Sequence, residues 1–181
     1  MPTLTAEYGP LIDHFDWTSV RTALDPWSGH GSTASALNAH PETAGVRVFL
    51  SDVDLRVTAD SYGNALSSHY LRYLADLVGS AFDVVVSSPL FALLDLAVPV
   101  LYEAAVTAAF VHVPGHYLTN APRARREWLQ KHADTCCVIS NLPVGPMGRR
   151  CAWLCLFKSA AAMHQMIKHT PHQAKSISFY L

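Results

Sequence analysis

Short β-rich runs that are apolar along most of their length alternate with helix-like stretches, and this alternation most constrains the fold. The runs fall at 20–24, 46–50, 82–86, 109–113, 135–139 and 151–157. A strand with one wet face alternates polar and apolar residues, whereas a nearly continuous apolar run is buried on both faces. Between the runs, Leu66, Tyr70, Tyr73, Leu74 and Leu77 recur at helical spacing within 64–78, with Gly79 as the stop. A second helix fits 92–105, and Asn120 can cap a basic amphipathic helix over 121–132. A Ser/Thr/Ala-rich stretch closed by Pro41 follows the first run. The pattern predicts an α/β fold, a mostly parallel sheet with helices on both faces.

At 181 residues, 50% hydrophobic and 15% charged, the chain reads as a single domain, 1–181, with enough apolar surface for a sizeable core. It contains no repeat, low-complexity tract or linker. No uncharged apolar stretch of about 20 residues occurs, and the N-terminus carries Glu7 and no basic residue before an apolar run. An intracellular protein without a membrane span or secretory signal is expected. The four cysteines, two adjacent (Cys136, Cys137) and two in an apolar run (Cys151, Cys155), have neither disulfide-framework nor zinc spacing, so reduced core thiols are expected. The net charge of −1 conceals a polarity: residues 1–119 hold 12 acidic against 4 basic side chains, and 120–181 hold 9 basic against 2 acidic. That suits either a polyanion-facing C-terminal portion or two mutually complementary halves.

In parallel sheets ligands bind beyond the carboxyl ends of the strands. Three such ends carry distinctive residues: Asp25-Pro-Trp-Ser-Gly-His-Gly31, Ser51-Asp52-Val53-Asp54 and Ser87-Ser88-Pro89-Leu90-Phe91. Paired glycines let backbone N–H groups approach a ligand, and a carboxylate such as Asp52 can accept both hydroxyls of a ribose. A dinucleotide-binding fold is one reading, since Ala34 and Asp52 stand at suitable offsets from Gly29-x-Gly31. It leaves Asp25-Pro26 and the later Ser-Pro-x-Phe unexplained.

Those residues resemble the S-adenosylmethionine (SAM)-dependent amino-methyltransferases of nucleic-acid bases. The first loop is similar to their D-P-F-x-G-x-G cofactor loop, and Ser88-Pro89-Leu90-Phe91 resembles their (D/N/S)-P-P-(Y/F/W) tetrad. Loop before tetrad matches the γ-type order, and 112–132 resembles the corresponding segment of small phage- and transposon-type adenine enzymes. The resemblance spans about 23–157 and implies a Rossmann-like class I methyltransferase fold, a seven-stranded sheet whose last strand is antiparallel. It implies SAM as cofactor, held by Asp25, Trp27, Gly29, Gly31, Asp52 and Asn64, with Asp60 a rival to Asn64. Ser88 and Pro89 would accept the two N–H bonds of an exocyclic amine, and Phe91 would stack on a flipped base. No metal is implied. Leu90 stands where the family has a second proline, which bears on the stiffness of the turn.

The expected activity is methylation of a DNA base, adenine N6 first. The alternatives are cytosine N4, an RNA base or protein amide, and a degraded, non-catalytic nucleic-acid-binding module. Tyr117, Arg123, Arg126, Arg149 and Arg150 are the candidate DNA contacts. Packing for Tyr117, and a solvated helix face with a Glu127–Lys131 pair, are the plainer alternatives. With the core at about 20–158, no separate target-recognition domain fits, so sequence specificity would be slight, come from a partner or reside in a larger parent polyprotein.

Overall fold

The computed structural model describes residues 3–140, 150–168 and 177–178. Its elements are α1 (Thr3–His14), β1 (Thr22–Asp25), α2 (Ser32–Ala39), β2 (Arg47–Asp52), β3 (Ser61–Tyr62), α3 (Ser68–Val78) and β4 (Phe82–Ser87). They continue with α4 (Leu94–Ala104), β5 (Ala105–Pro114), α5 (His116–Thr119), α6 (Arg123–Lys131), β6 (Cys136–Ile139), β7 (Cys151–Phe157), α7 (Ala160–Met166) and β8 (Ile177–Ser178). One sheet runs in the order β3-β2-β1-β4-β5-β7-β6-β8. Strands β1 to β5 are mutually parallel, and β7 is antiparallel to both β5 and β6. The seven expected strands are therefore present with the last antiparallel, and β8 adds a two-residue antiparallel edge on β6.

Successive strand residues point to opposite faces, and both faces are filled. Ala23, Val84, Val86 and Phe110 face a core with Leu11 from α1, Phe15 just after it and Leu37 from α2. Leu24, Val85 and Val111 face a second core with Leu71, Leu74, Leu94 and Leu101 from α3 and α4. Burial on both sides explains why these strands read as continuous apolar runs rather than alternating ones.

Three details differ from the sequence reading. Helix α1 lies ahead of the expected core, yet Tyr8, Leu11, Ile12 and Phe15 are buried, and the Trp153 indole donates to the Glu7 carbonyl at 2.8 Å. Gly9 and Pro10 within it weaken its helical signal. The basic helix begins at Arg123 with Pro122 at its cap, and the Asn120 amide instead bonds the His116 carbonyl to close α5. Proline locks its own backbone angle and fits a helix start, so it sets the boundary rather than Asn120. The two-residue β3 is too short to show in any pattern. Cys136, Cys137 and Cys155 are free thiols, and all three are buried. No helix among the described residues is long and apolar enough to cross a membrane.

Candidate functional site

The parallel topology brings the carboxyl ends of β1, β2 and β4 side by side. After β1 the chain turns through Gly29 and Gly31 at φ +49° and +76°, a region costly for other residues. An added Cβ at Gly29 would meet no atom within 4 Å, so its bare backbone faces open space. The loop is fastened to β2: the Gly29 amide donates to Asp52 at 2.8 Å, and the Ser28 amide to the Ser51 carbonyl at 3.0 Å. Asp52 also accepts from the Asp54 amide at 2.9 Å, which uses one position on each carboxylate oxygen and leaves acceptor capacity toward the open side. The result is a cleft of about 440 Å³ whose walls include Trp27, Gly29, Asp52, Asn64, Ser88 and Leu90.

Of the expected cofactor residues, Trp27, Gly29, Asp52 and Asn64 line this cleft, whereas Gly31 and Asp25 are not among its walls. Asn64 lines the cleft, while its rival Asp60 is turned to the Leu50 amide at 2.8 Å. Asp25 is 2% exposed and acts from behind the loop. It accepts from Thr33 at 2.5 Å, Ser87 at 2.7 Å and the Trp27 amide at 3.2 Å. Burial pushes its carboxyl up to about 6, against those hydrogen bonds, which pull it down. On the cleft's rim, hydrogen bonds from Arg56 hold the Asp54 carboxyl down to about 2.

The turn after β4 presents Ser88 and Leu90 to the cleft. Leu90 is 67% exposed, and Phe91 is half-buried against the α3–α4 core. The candidate DNA contacts scatter. Tyr117 is 4% exposed, with the Arg125 guanidinium 3.9 Å above its ring; packing is the reading its burial fits. Arg125 also forks onto Asp95 at 2.6 and 2.9 Å. Glu127 pairs with Arg123 at 2.7 Å rather than with Lys131, because a one-turn contact reaches either neighbour. Arg126 lines a separate cavity beneath α6. Arg150 is exposed beside β7, and Arg149, with the 142–148 loop, lies outside the described residues.

Sequence reasoning missed Tyr8, Thr33, Tyr70 and Gly63. The Tyr70 hydroxyl joins Ser51 at 2.7 Å and Ser61 at 3.0 Å, tying β2 to β3 beside the cleft. A Cβ at Gly63 would sit 2.4 Å from the Tyr70 ring. Gly63→Ala should therefore displace Tyr70 and cost about 1–3 kcal/mol of stability, the scale of core overpacking. Thermal or urea unfolding measures it, and a loss confined to a few tenths would show that the ring yields freely.

No protein-family model and no curated protein matches the chain. Solved structures do match. The type I restriction-modification system methyltransferase subunit from Streptococcus thermophilus superposes with a TM-score of 0.60 at 13% identity, over 96% of this chain and 45% of that one. The O-methyltransferase from Bacillus cereus, in complex with SAH, gives 0.59 at 14% identity over 87% and 82%. The O-methyltransferase TomG from Streptomyces achromogenes, in complex with SAM, gives 0.56 at 18% identity over 87% and 79%. The chain has the Rossmann-like fold of class I SAM-dependent methyltransferases.

Proposed function

We propose that this chain is a SAM-dependent methyltransferase acting on the exocyclic amine of a DNA base, adenine N6 first. The observation that carries the reading is that Ser88, heading the tetrad-like turn, lines the same cleft as Gly29 and Asp52. The cleft suits the cofactor. Its volume is of ligand size, Gly29 leaves room that a Cβ would fill, and Ser28 holds a buried hydroxyl with no partner among the described residues. Asp52 would accept the ribose hydroxyls, Asn64 and Ala65 would flank the adenine, and the 29–31 loop would lie against the methionine end.

When bound, SAM supplies an electrophilic methyl group. An exocyclic amine is a weak nucleophile, because its lone pair is delocalised into the ring. The Ser88 hydroxyl and the Pro89 carbonyl would accept its two N–H bonds and favour a geometry with the lone pair aimed at the methyl group. The chain's work is orientation. A serine at this position also suits cytosine N4, while the likeness of 112–132 to small adenine enzymes favours adenine. DNA is the proposed partner, with Arg126 and Arg150 as the cationic contacts.

Transfer of labelled methyl from SAM to oligonucleotides, followed by nucleoside analysis, tests the reading. N6-methyladenine is expected. A folded chain that binds SAM and leaves every base unlabelled would overturn it.

Leu90 bears on the turn's competence. It sits at φ −55° and ψ 128°, angles that a proline ring adopts without strain. The leucine therefore already holds a backbone shape open to a proline. Leu90→Pro should be accepted and raise stability by about 0.4–1 kcal/mol through a more restricted unfolded chain, with methyl transfer equal or faster. Destabilisation on unfolding would show that the turn needs the leucine.

A further inference from the structure

The turn after β4 arranges its apolar side chains in a way that its sequence motif does not describe. The Leu93 amide donates to the Leu90 carbonyl at 2.8 Å, and Phe91–Leu93 form a 3₁₀ turn. About three residues complete a turn of such a helix, so positions three apart share a side and the residue between is carried elsewhere. Leu90 and Leu93 accordingly both line the cleft, while Phe91 packs against the α3–α4 core. Leu90 is 67% exposed, so the protein itself leaves much of it uncovered.

The walls of the cleft are also unevenly charged. Their ionisable groups are Asp52 and Asp54, both at the β2 end, and among the described residues no lysine, arginine or histidine joins them. The nearby Arg56 guanidinium is already paired with Asp54 at 2.6 Å. A phosphate inside would meet carboxylates and no free cation, which opposes its entry. The Leu90–Leu93 wall suits a flat, uncharged ring, which gains contact in proportion to the apolar area it covers. An aliphatic surface has no ring quadrupole, so it discriminates little between one base and another.

We propose that Leu90 and Leu93 form the platform on which the substrate base rests, in the place that the motif gives to its aromatic residue. The base enters the cleft alone, and its phosphates stay outside. The inference rests on the reading given under Proposed function and adds to it the surface that holds the ring.

Leu90→Ala trims an exposed side chain to its Cβ and should leave the fold intact. With labelled SAM and the oligonucleotide that the wild type methylates, KM for DNA should rise about tenfold, the scale of that lost apolar contact. The affinity for the demethylated product (SAH) should stay within about twofold. Leu90→Met keeps an apolar chain of similar volume and should recover most of the loss. A merely structural role would move stability and would not single out KM. An unchanged KM in Leu90→Ala overturns the inference and leaves the methyltransferase reading standing. A KM that rises only in step with a loss of SAH affinity also overturns it, because Leu90 would then cover the cofactor. Should Leu90→Ala not fold, Leu90→Gln carries the test, and a wild-type KM there overturns it. A wild type that binds SAM and methylates no base overturns the reading, and the inference with it.

Discussion

Ser88→Ala is expected to lower the rate of methyl transfer about 10- to 100-fold while leaving the affinity for SAM within about twofold. The hydroxyl lies at the mouth of the turn after β4 and lines the cleft, yet no backbone bond of the cofactor loop depends on it. Its proposed contact strengthens as the amine pyramidalises, so its loss belongs to the transition state rather than to ground-state binding. Single-turnover rates with saturating DNA, set beside calorimetric affinity for SAH, make the separation. Equal losses in rate and cofactor affinity would mean that Ser88 shapes the cleft and does not orient the amine.

Asp52→Ala is expected to weaken SAM binding by about 1–3 kcal/mol, the cost of a lost charged hydrogen bond. Two effects combine. The ribose acceptor disappears, and the Gly29 and Asp54 amides lose the carboxylate that holds them at 2.8 and 2.9 Å. Asp52→Asn separates them, since a carbonyl oxygen can keep one of the two amide bonds while the charge is lost. Alanine should therefore be worse than asparagine in calorimetric titration with SAH. Equal affinity for wild type and Asp52→Ala would remove Asp52 from the cofactor site.

The tetrad-like turn and the first loop were visible in the chain because such turns depend on residue type within a few positions. Glycines at 29 and 31 are needed for positive φ, and the polar break after each apolar run is a local event. Phe91 is not among the cleft's walls. The sequence places an aromatic ring at the tetrad's end, whereas the backbone enters a 3₁₀ turn there and lays the ring against the core. Leu90 is the residue that reaches the cleft. Nor could sequence tell which arginines are free. Arg125 is spent on Asp95, thirty residues earlier, and on the face of Tyr117.

The sequence by itself determined the α/β class, the two-sided burial of the strands and the three strand ends that border the cleft. All of these follow from hydrophobic period and local turn requirements. Only the tertiary structure decided which polar groups meet. Tyr8, Thr33, Asp25 and Ser87 come from four different elements and share one buried network because β4 lies beside β1 and α1 folds back over both. Hydrogen bonds between residues as far as 62 positions apart leave no periodic mark in a chain. They exist only once the sheet has set its strand order and the helices have excluded water from the space between.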